Sequence, residues 1–259
     1  MSLTHSQKMA YERDGFLLVE ELLTEAEVEA LRVRAQEIGS GKLKHVPPEW
    51  LREEPGIQAE EEGGPSGMER LRKLEFLAWY DDVYLSLAKH PKILAVVEEL
   101  LETRDLKLLA DEMFMKPPVH GSAKEYHQDA TSWPWLIPQA WVTAWVALDD
   151  VTLENGALQM VVGSHKLGMV PADCVDKLDT DDILAQEVTV PVNAGGCIFL
   201  HSLSLHASAA NETQDRRRAH AMRYIPSNSK CLIDLGAIEG YRSDLLLIQG
   251  EASNVPYAV

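Results

Sequence analysis

The second half of the chain is a train of short apolar segments separated by turn residues, and that spacing narrows what it can become. Strand-like runs fall at residues 107–115, 140–148, 157–162, 187–192, 196–200 and 219–225. Each is bounded by Gly, Asn, Pro or Asp, and such short, punctuated runs predict a β-rich core. Helical patterns come first. Residues 6–14 predict a short helix and 15–19 a strand. Thr24-Glu25-Ala26-Glu27 has the form of a capping box, in which Thr24 accepts from the N–H of Glu27 while Glu27 reaches back. Val28, Leu31, Ala35 and Ile38 then share one helical face, and the helix is expected to stop at Gly39. Residues 74–87 and 91–102 predict two more helices, the second with Pro91 in its first turn. Helices followed by short strands suggest a mainly β fold with flanking α-helices, a jelly-roll-type barrel.

Residues 41–67 break the pattern with Pro47-Pro48, Pro55-Gly56 and Glu60-Glu61-Glu62-Gly63-Gly64-Pro65. They read as one long loop, either a lid or a surface insertion. The 259 residues are expected to form a single domain, with a helical flank over 1 to about 105, a barrel core over about 106–226 and a C-terminal segment over 227–259.

Chemistry concentrates in two places. His127-Gln128-Asp129 follows Tyr126, and on an extended strand His and Asp two apart share one face. The second place follows the apolar run Cys197-Ile198-Phe199-Leu200: His206, then Ser208, then a turn rich in Asn, Thr and Asp, then Arg216-Arg217-Arg218. Two imidazoles and one carboxylate form a ligand set that holds iron(II) on one face and leaves positions open for oxygen and a co-substrate. The two segments lie roughly 80 residues apart, a separation that a barrel closes and a helical hairpin does not. His-x-Asp alone is a weak motif, and the second segment gives it weight. His201 is the alternative to His206, but the spacing to Ser208 and Arg217 favours His206.

Composition removes several classes. Asp and Glu total 41 against 24 Lys and Arg, a formal charge of -17. Nucleic acid and anionic membrane surfaces need a basic face, so neither is an expected partner. The clustered arginines suit a small anion, although Arg216 and Arg218 also read as a solvated turn. Cys174, Cys197 and Cys231 are too few and too scattered for a disulfide framework or a zinc site. A reducing, cytoplasmic setting is expected, with neither a signal peptide nor a membrane span in view.

Among the remaining histidines, His165 in Gly163-Ser164-His165 reads as a turn residue. His120 and His220 read as solvent-facing or as supports for the ligands, and His5, His45 and His90 as unremarkable. Trp133-Pro134-Trp135 follows the triplet closely, and one of its tryptophans is expected to line a substrate pocket, with Tyr126 and Arg223 as further candidates for that wall. Trp141 and Trp145, four apart on one strand, share a face, and Trp141 is expected in the core. Asn155-Gly156 reads as a hairpin turn without functional content.

At this point the chain resembles the phytanoyl-CoA dioxygenase family of iron(II)/2-oxoglutarate oxygenases. The likeness runs from about Glu12 to Tyr224. It is dense in Lys116-Pro117-Pro118, in His127-Gln128-Asp129, in Glu154-Asn155-Gly156-Ala157-Leu158 through Gly163-Ser164-His165, and in His206 through Arg217. The resemblance implies a double-stranded β-helix (jelly-roll/cupin-like) barrel in which His127, Asp129 and His206 bind iron and carry catalysis. It implies that Arg217 pairs with the distal carboxylate of 2-oxoglutarate, that Ser208 hydrogen-bonds the same group, and that Trp145 lines the co-substrate pocket. Lys73, or its neighbour Arg72, is implied as a further co-substrate contact. Glu112 departs from the family, which has a neutral residue there. Asp129 keeps the carboxylate that related halogenases lose, so a hydroxylase is implied.

The expected activity is therefore oxidation of an aliphatic C–H bond in a small organic metabolite. It would use Fe(II), 2-oxoglutarate and O2, with succinate and CO2 released and ascorbate as an assay additive. The alternatives are a non-redox cupin-like metal enzyme, which needs neither Arg217 nor Ser208, and a non-catalytic metabolite-binding barrel, which needs no triad. The primary substrate and the oligomeric state are not legible in the sequence.

Overall fold

The structure, a computed structural model, describes all residues except 1, 56, 58–66, 172–174, 176–183 and 252–259. Its helices are α1 (His5–Asp14), α2 (Glu25–Gly39), α3 (Leu77–Tyr80), α4 (Asp82–Ala88) and α5 (Pro91–Leu101). The strands before the His-x-Asp segment are β1 (Phe16–Val19), β2 (Leu51–Glu53), β3 (Leu71–Glu75) and β4 (Leu106–Lys116). Then come β5 (Lys124–His127), β6 (Leu136–Ile137), β7 (Val142–Ala147), β8 (Leu158–Val161) and β9 (Glu187–Val190). The remaining strands are β10 (Cys197–His201), β11 (His206–Ser208), β12 (Arg217–Pro226), β13 (Lys230–Cys231) and β14 (Leu246–Gln249).

Two antiparallel sheets build the body. The larger has the order β1-β10-β7-β12-β4-β3-β2 with β14 added on β4, and the smaller has the order β5-β11-β8-β9. Alternation along the strands explains how they are covered. On β7, Trp145 and Ala147 join a core with Leu158 and Met160 of β8, Val190 of β9 and Ile198 and Leu200 of β10, so the two sheets face one another. Val142, Ala144 and Val146 point the other way, into a core with Leu31 and Ile38 of α2 and Ile93 and Val97 of α5. Strand β12 is therefore buried on both faces, and its burial is nearly continuous rather than alternating. This is the double-stranded β-helix of the jelly-roll class, with helices packed on the outer face of the larger sheet.

The local signals explain several boundaries. Thr24 accepts from the Glu27 N–H and the Glu27 carboxylate reaches back, as the capping box requires. The apolar stripe Val28, Leu31, Ala35 and Ile38 is buried. Helix α2 runs through Gly39 and is capped by Ser40, with the left-handed turn taken by Gly41 at φ 73°. Proline opens α5 as expected.

Three expectations need correction. The helix predicted over 74–87 is instead the end of β3 followed by two short helices. Leu74 and Glu75 pair with Met113 and Glu112 of β4, and Phe76 turns at φ 56° before the chain coils, so a free sheet edge outweighed helical spacing. Asp81, whose carboxylate accepts from Val83 and Tyr84, starts α4. Second, the loop expected over 41–67 contains β2, which pairs with β3, while residues 58–66 lie outside the described residues. Third, of the two readings of His220 the solvent-facing one fails: it is fully buried, 2.9 Å from Asp111 and stacked on Tyr84. Cys197 and Cys231 are free and buried, and Cys174 lies outside the described residues.

Candidate metal and co-substrate site

The smaller sheet brings the two chemical segments together by direct strand pairing. His206 of β11 sits opposite His127 of β5 in the antiparallel register. Their rings lie 4.2 Å apart between centroids. Asp129 is not on the strand, contrary to the alternation argument. It opens a short 3-10 turn over Asp129–Ser132, and that turn swings its carboxylate back toward the rings. One ligand atom from each of His127, Asp129 and His206 lies within 4.8 Å of the others. The turn is pinned by Gln128, fully buried, whose amide donates to the carbonyls of Gly168 and Leu203 and accepts from the Val170 N–H.

The donor set suits a divalent iron. His127 Nδ1 lies 2.8 Å from the Glu125 carbonyl, and His206 Nδ1 lies 3.0 Å from the Ser204 carbonyl. In both cases the backbone oxygen takes the Nδ1 proton, so Nε2 is left as the lone-pair donor. Burial, with the second imidazole beside it, pushes His127 down to about 3, so it is neutral at neutral pH. For Asp129, burial alone would raise the pKa. Arg223 and the two imidazoles outweigh it and hold the carboxyl below the usual range, so the group is a carboxylate. Its Oδ2 accepts from Thr143 at 2.7 Å and its Oδ1 from Arg223 at 3.3 Å.

A cavity of about 310 Å³ opens beside these residues and extends to Arg217. Arg217, 2% exposed, lies with its guanidinium 5.4 Å over the Trp145 ring and donates to the Gly156 carbonyl. Burial lowers it to about 10, which still leaves it charged at neutral pH. Ser208 and Trp145 line the same cavity. Gly156, read from sequence as a plain turn residue, touches the site: at φ +92° its position has the Ala209 carbonyl and Lys116 immediately beside it. Lys73 is held by Glu75 and Glu112, each at 2.7 Å, and Arg72 by Ser122 at 2.6 Å and Glu54 at 3.3 Å. Both line the cavity.

The substrate-side candidates separate. Trp133 and Arg223 line the cavity, with the guanidinium 5.1 Å over the indole. Trp135 packs on Tyr241, and Tyr126 hydrogen-bonds Glu187 instead. His201 lies apart from the triad, close to His165 and Tyr11. Trp141 is fully buried. Three residues escaped the sequence reading. Thr143 and Lys116 are ordinary strand residues until register places them beside Asp129 and Arg217. Tyr241 reaches the cavity from the C-terminal segment, donates to the Ser132 carbonyl at 2.6 Å, and lies in no periodic pattern that could announce it.

A facial pair of imidazoles and a carboxylate beside a buried arginine defines a non-haem iron oxygenase that uses a 2-oxo acid. The phytanoyl-CoA dioxygenase (PhyH) family model matches residues 11–219. The chain belongs to the phytanoyl-CoA dioxygenase family, and it is an iron(II)/2-oxoglutarate-dependent dioxygenase. It is 27% identical over 237 residues to a probable phytanoyl-CoA dioxygenase of Caenorhabditis elegans, covering 86% of this chain and 75% of that one. It is 28% identical over 226 residues to the methylphosphonate hydroxylase of Gimesia maris, covering 86% and 81%. Among solved structures, the non-haem α-ketoglutarate-dependent epimerase SnoN of nogalamycin biosynthesis superposes with a TM-score of 0.70 at 25% identity, over 87% of this chain and 84% of that one.

Proposed function

We propose that this enzyme hydroxylates an aliphatic C–H bond of a small organic metabolite, with His127, Asp129 and His206 as the iron ligands and Arg217 as the anchor for 2-oxoglutarate. The observation that supports this most is the shared cavity. Three ligand atoms converge among its lining residues, and an arginine without a carboxylate partner among the described residues lines the same cavity. When bound, iron(II) supplies the oxygen chemistry, and the protein's part is positioning and exclusion of water. The Nδ1 bonds of the two imidazoles fix their outward donors. Thr143 and Arg223 hold the carboxylate from both sides. Arg217 matches a carboxylate through its planar fork, with Ser208 and Trp145 beside it.

The substrate end is expected at Trp133, Arg223 and Tyr241. Trp133 and Tyr241 meet edge to face at 5.8 Å and offer an apolar wall. Arg223 Nε and Nη1 are buried without a partner among the described residues, so a substrate with a hydrogen-bond acceptor suits this end. A small metabolite also fits the formal charge of -17, which disfavours a large polyanion. The methylphosphonate hydroxylase is a relative whose name records a small substrate. A cytoplasmic setting belongs to the same proposal and is supported by the unpaired thiols of Cys197 and Cys231.

The test is succinate release from 2-oxoglutarate with iron(II), oxygen and ascorbate, comparing the parent enzyme with His206→Ala. The reading expects turnover in the first and its loss in the second. Equal succinate release from both would remove His206 from the site.

A further inference from the structure

Lys116 ends β4 and stands directly across from Arg217, the first residue of β12, in the antiparallel register. Like charges placed opposite one another on neighbouring strands repel. Here both are also taken out of water, Lys116 at 7% exposure and Arg217 at 2%. Among the described residues, the nearby carboxylates serve other cations: Glu54 pairs with Arg72, and Asp149 with Arg218 and Arg32. Among the described residues, the Lys116 ammonium hydrogen-bonds the main-chain carbonyls of Ser208 and Ala209 and no carboxylate. The Arg217 guanidinium donates to the Gly156 carbonyl and lies over the Trp145 ring, and among the described residues its Nε has no hydrogen-bond partner. Two buried cations side by side, both lining one cavity, lack a negative charge between them among the described residues.

Other features agree. Burial first, then Arg217 and Arg72, push Lys116 down to about 7, the response of an ammonium without a counter-ion. A Cβ at position 156 would lie 3.1 Å from Lys116 Nζ and 2.5 Å from the Ala209 carbonyl oxygen, so glycine there preserves room for the ammonium. Lys73 differs in kind, because two carboxylates already satisfy it at 2.7 Å each.

We propose that Lys116 is a second anchoring residue for 2-oxoglutarate, sharing the distal carboxylate with Arg217. A carboxylate has two oxygens and enough lone pairs to serve both cations at once. This rests on the reading of Arg217 as the co-substrate anchor.

The experiment is calorimetric titration of anaerobic iron(II) enzyme with 2-oxoglutarate and with 2-oxopentanoate, which has the same chain length but no distal carboxylate. The proteins are the parent, Lys116→Met, Lys116→Gln and Arg217→Leu. A charge-assisted hydrogen bond predicts that Lys116→Met weakens 2-oxoglutarate by about 10- to 100-fold. The same variant should change 2-oxopentanoate affinity by less than about threefold, because only the carboxylate partner is missing. Lys116→Gln keeps a donor without the charge and should fall between. Equal weakening of both ligands would mean a damaged pocket and overturn the proposal, as would unchanged 2-oxoglutarate affinity in Lys116→Met. If Arg217→Leu also left 2-oxoglutarate affinity unchanged, the underlying reading of the site would fall as well. If only Lys116→Met were silent, that reading would stand and this proposal alone would fail.

Discussion

Replacing Thr143 by valine tests whether the carboxylate ligand is held in place by its neighbours. Valine matches threonine in shape, so the change removes one hydroxyl and little else. That hydroxyl donates to Asp129 Oδ2 at 2.7 Å, and both residues are buried. A hydrogen bond to a charged group is worth about 1.5–3 kcal/mol. Most of this acts on the fold itself, because Arg223 and the two imidazoles outweigh burial and hold Asp129 as a carboxylate. The metal-free protein should therefore melt roughly 3–12 °C lower, taking about 2–4 °C per kcal/mol for a chain of this size. Metal affinity should fall by a smaller share. Losing an outer partner of a ligand costs about 10- to 100-fold in affinity, and the lower end is expected because Arg223 still holds Oδ1. Competition for iron(II) against a chelator of known affinity, under anaerobic conditions, measures it. Iron affinity within about twofold of the parent, with the melting temperature lowered as expected, would show that Thr143 supports the fold but not the ligand.

Arg217→Leu should weaken 2-oxoglutarate by about 100-fold while changing iron affinity by less than about threefold, measured by separate titrations of each. Affinity for 2-oxoglutarate should weaken as pH rises above about 7. Burial, Arg217 and Arg72 hold Lys116 down to about 7, so above that pH it must take up a proton to meet an anion. Titrations in buffers of different ionisation enthalpy should show proton uptake near pH 8 in the parent and none in Lys116→Met. Glu112→Gln should lower thermal stability at neutral pH. Burial opposes the Glu112 carboxylate, but Arg223 and Lys73 outweigh it and hold it at about 2 against a usual 4.5. A depressed carboxyl pKa stabilises the fold above the unfolded value, so the gap between parent and variant should close as pH falls from 4.5 toward 2, read from melting curves.

The candidate metal cluster was legible because side chains suited to this chemistry are rare and their spacing is unusual. His127 and His206 were found by residue type, and the barrel was implied by the turns between short strands. The route to the geometry was misread at Asp129, which turns back through a 3-10 segment. A four-residue conformational change of this kind leaves no periodic trace. The strand at Leu71–Glu75 was hidden for a different reason. Its apolar residues are spaced so that helix and strand both fit, and the open edge of β4 decided between them. Thr143 carries no local signal, and the motif Lys116-Pro117-Pro118 marked Lys116 without giving it a role, since both roles come from the residue opposite or nearby across the sheet. Tyr241 lies past residue 219, where the family match ends, and reaches the cavity from a segment with little regular structure.

The most direct measurement is an anaerobic crystal structure of the enzyme soaked with iron(II) and 2-oxoglutarate. The account predicts a single ion bonded to His127 Nε2, His206 Nε2 and an Asp129 oxygen, with the keto acid spanning from that ion to Arg217. An ion bound by fewer than these three side chains, or a keto acid whose far carboxylate lies away from Arg217, would contradict it.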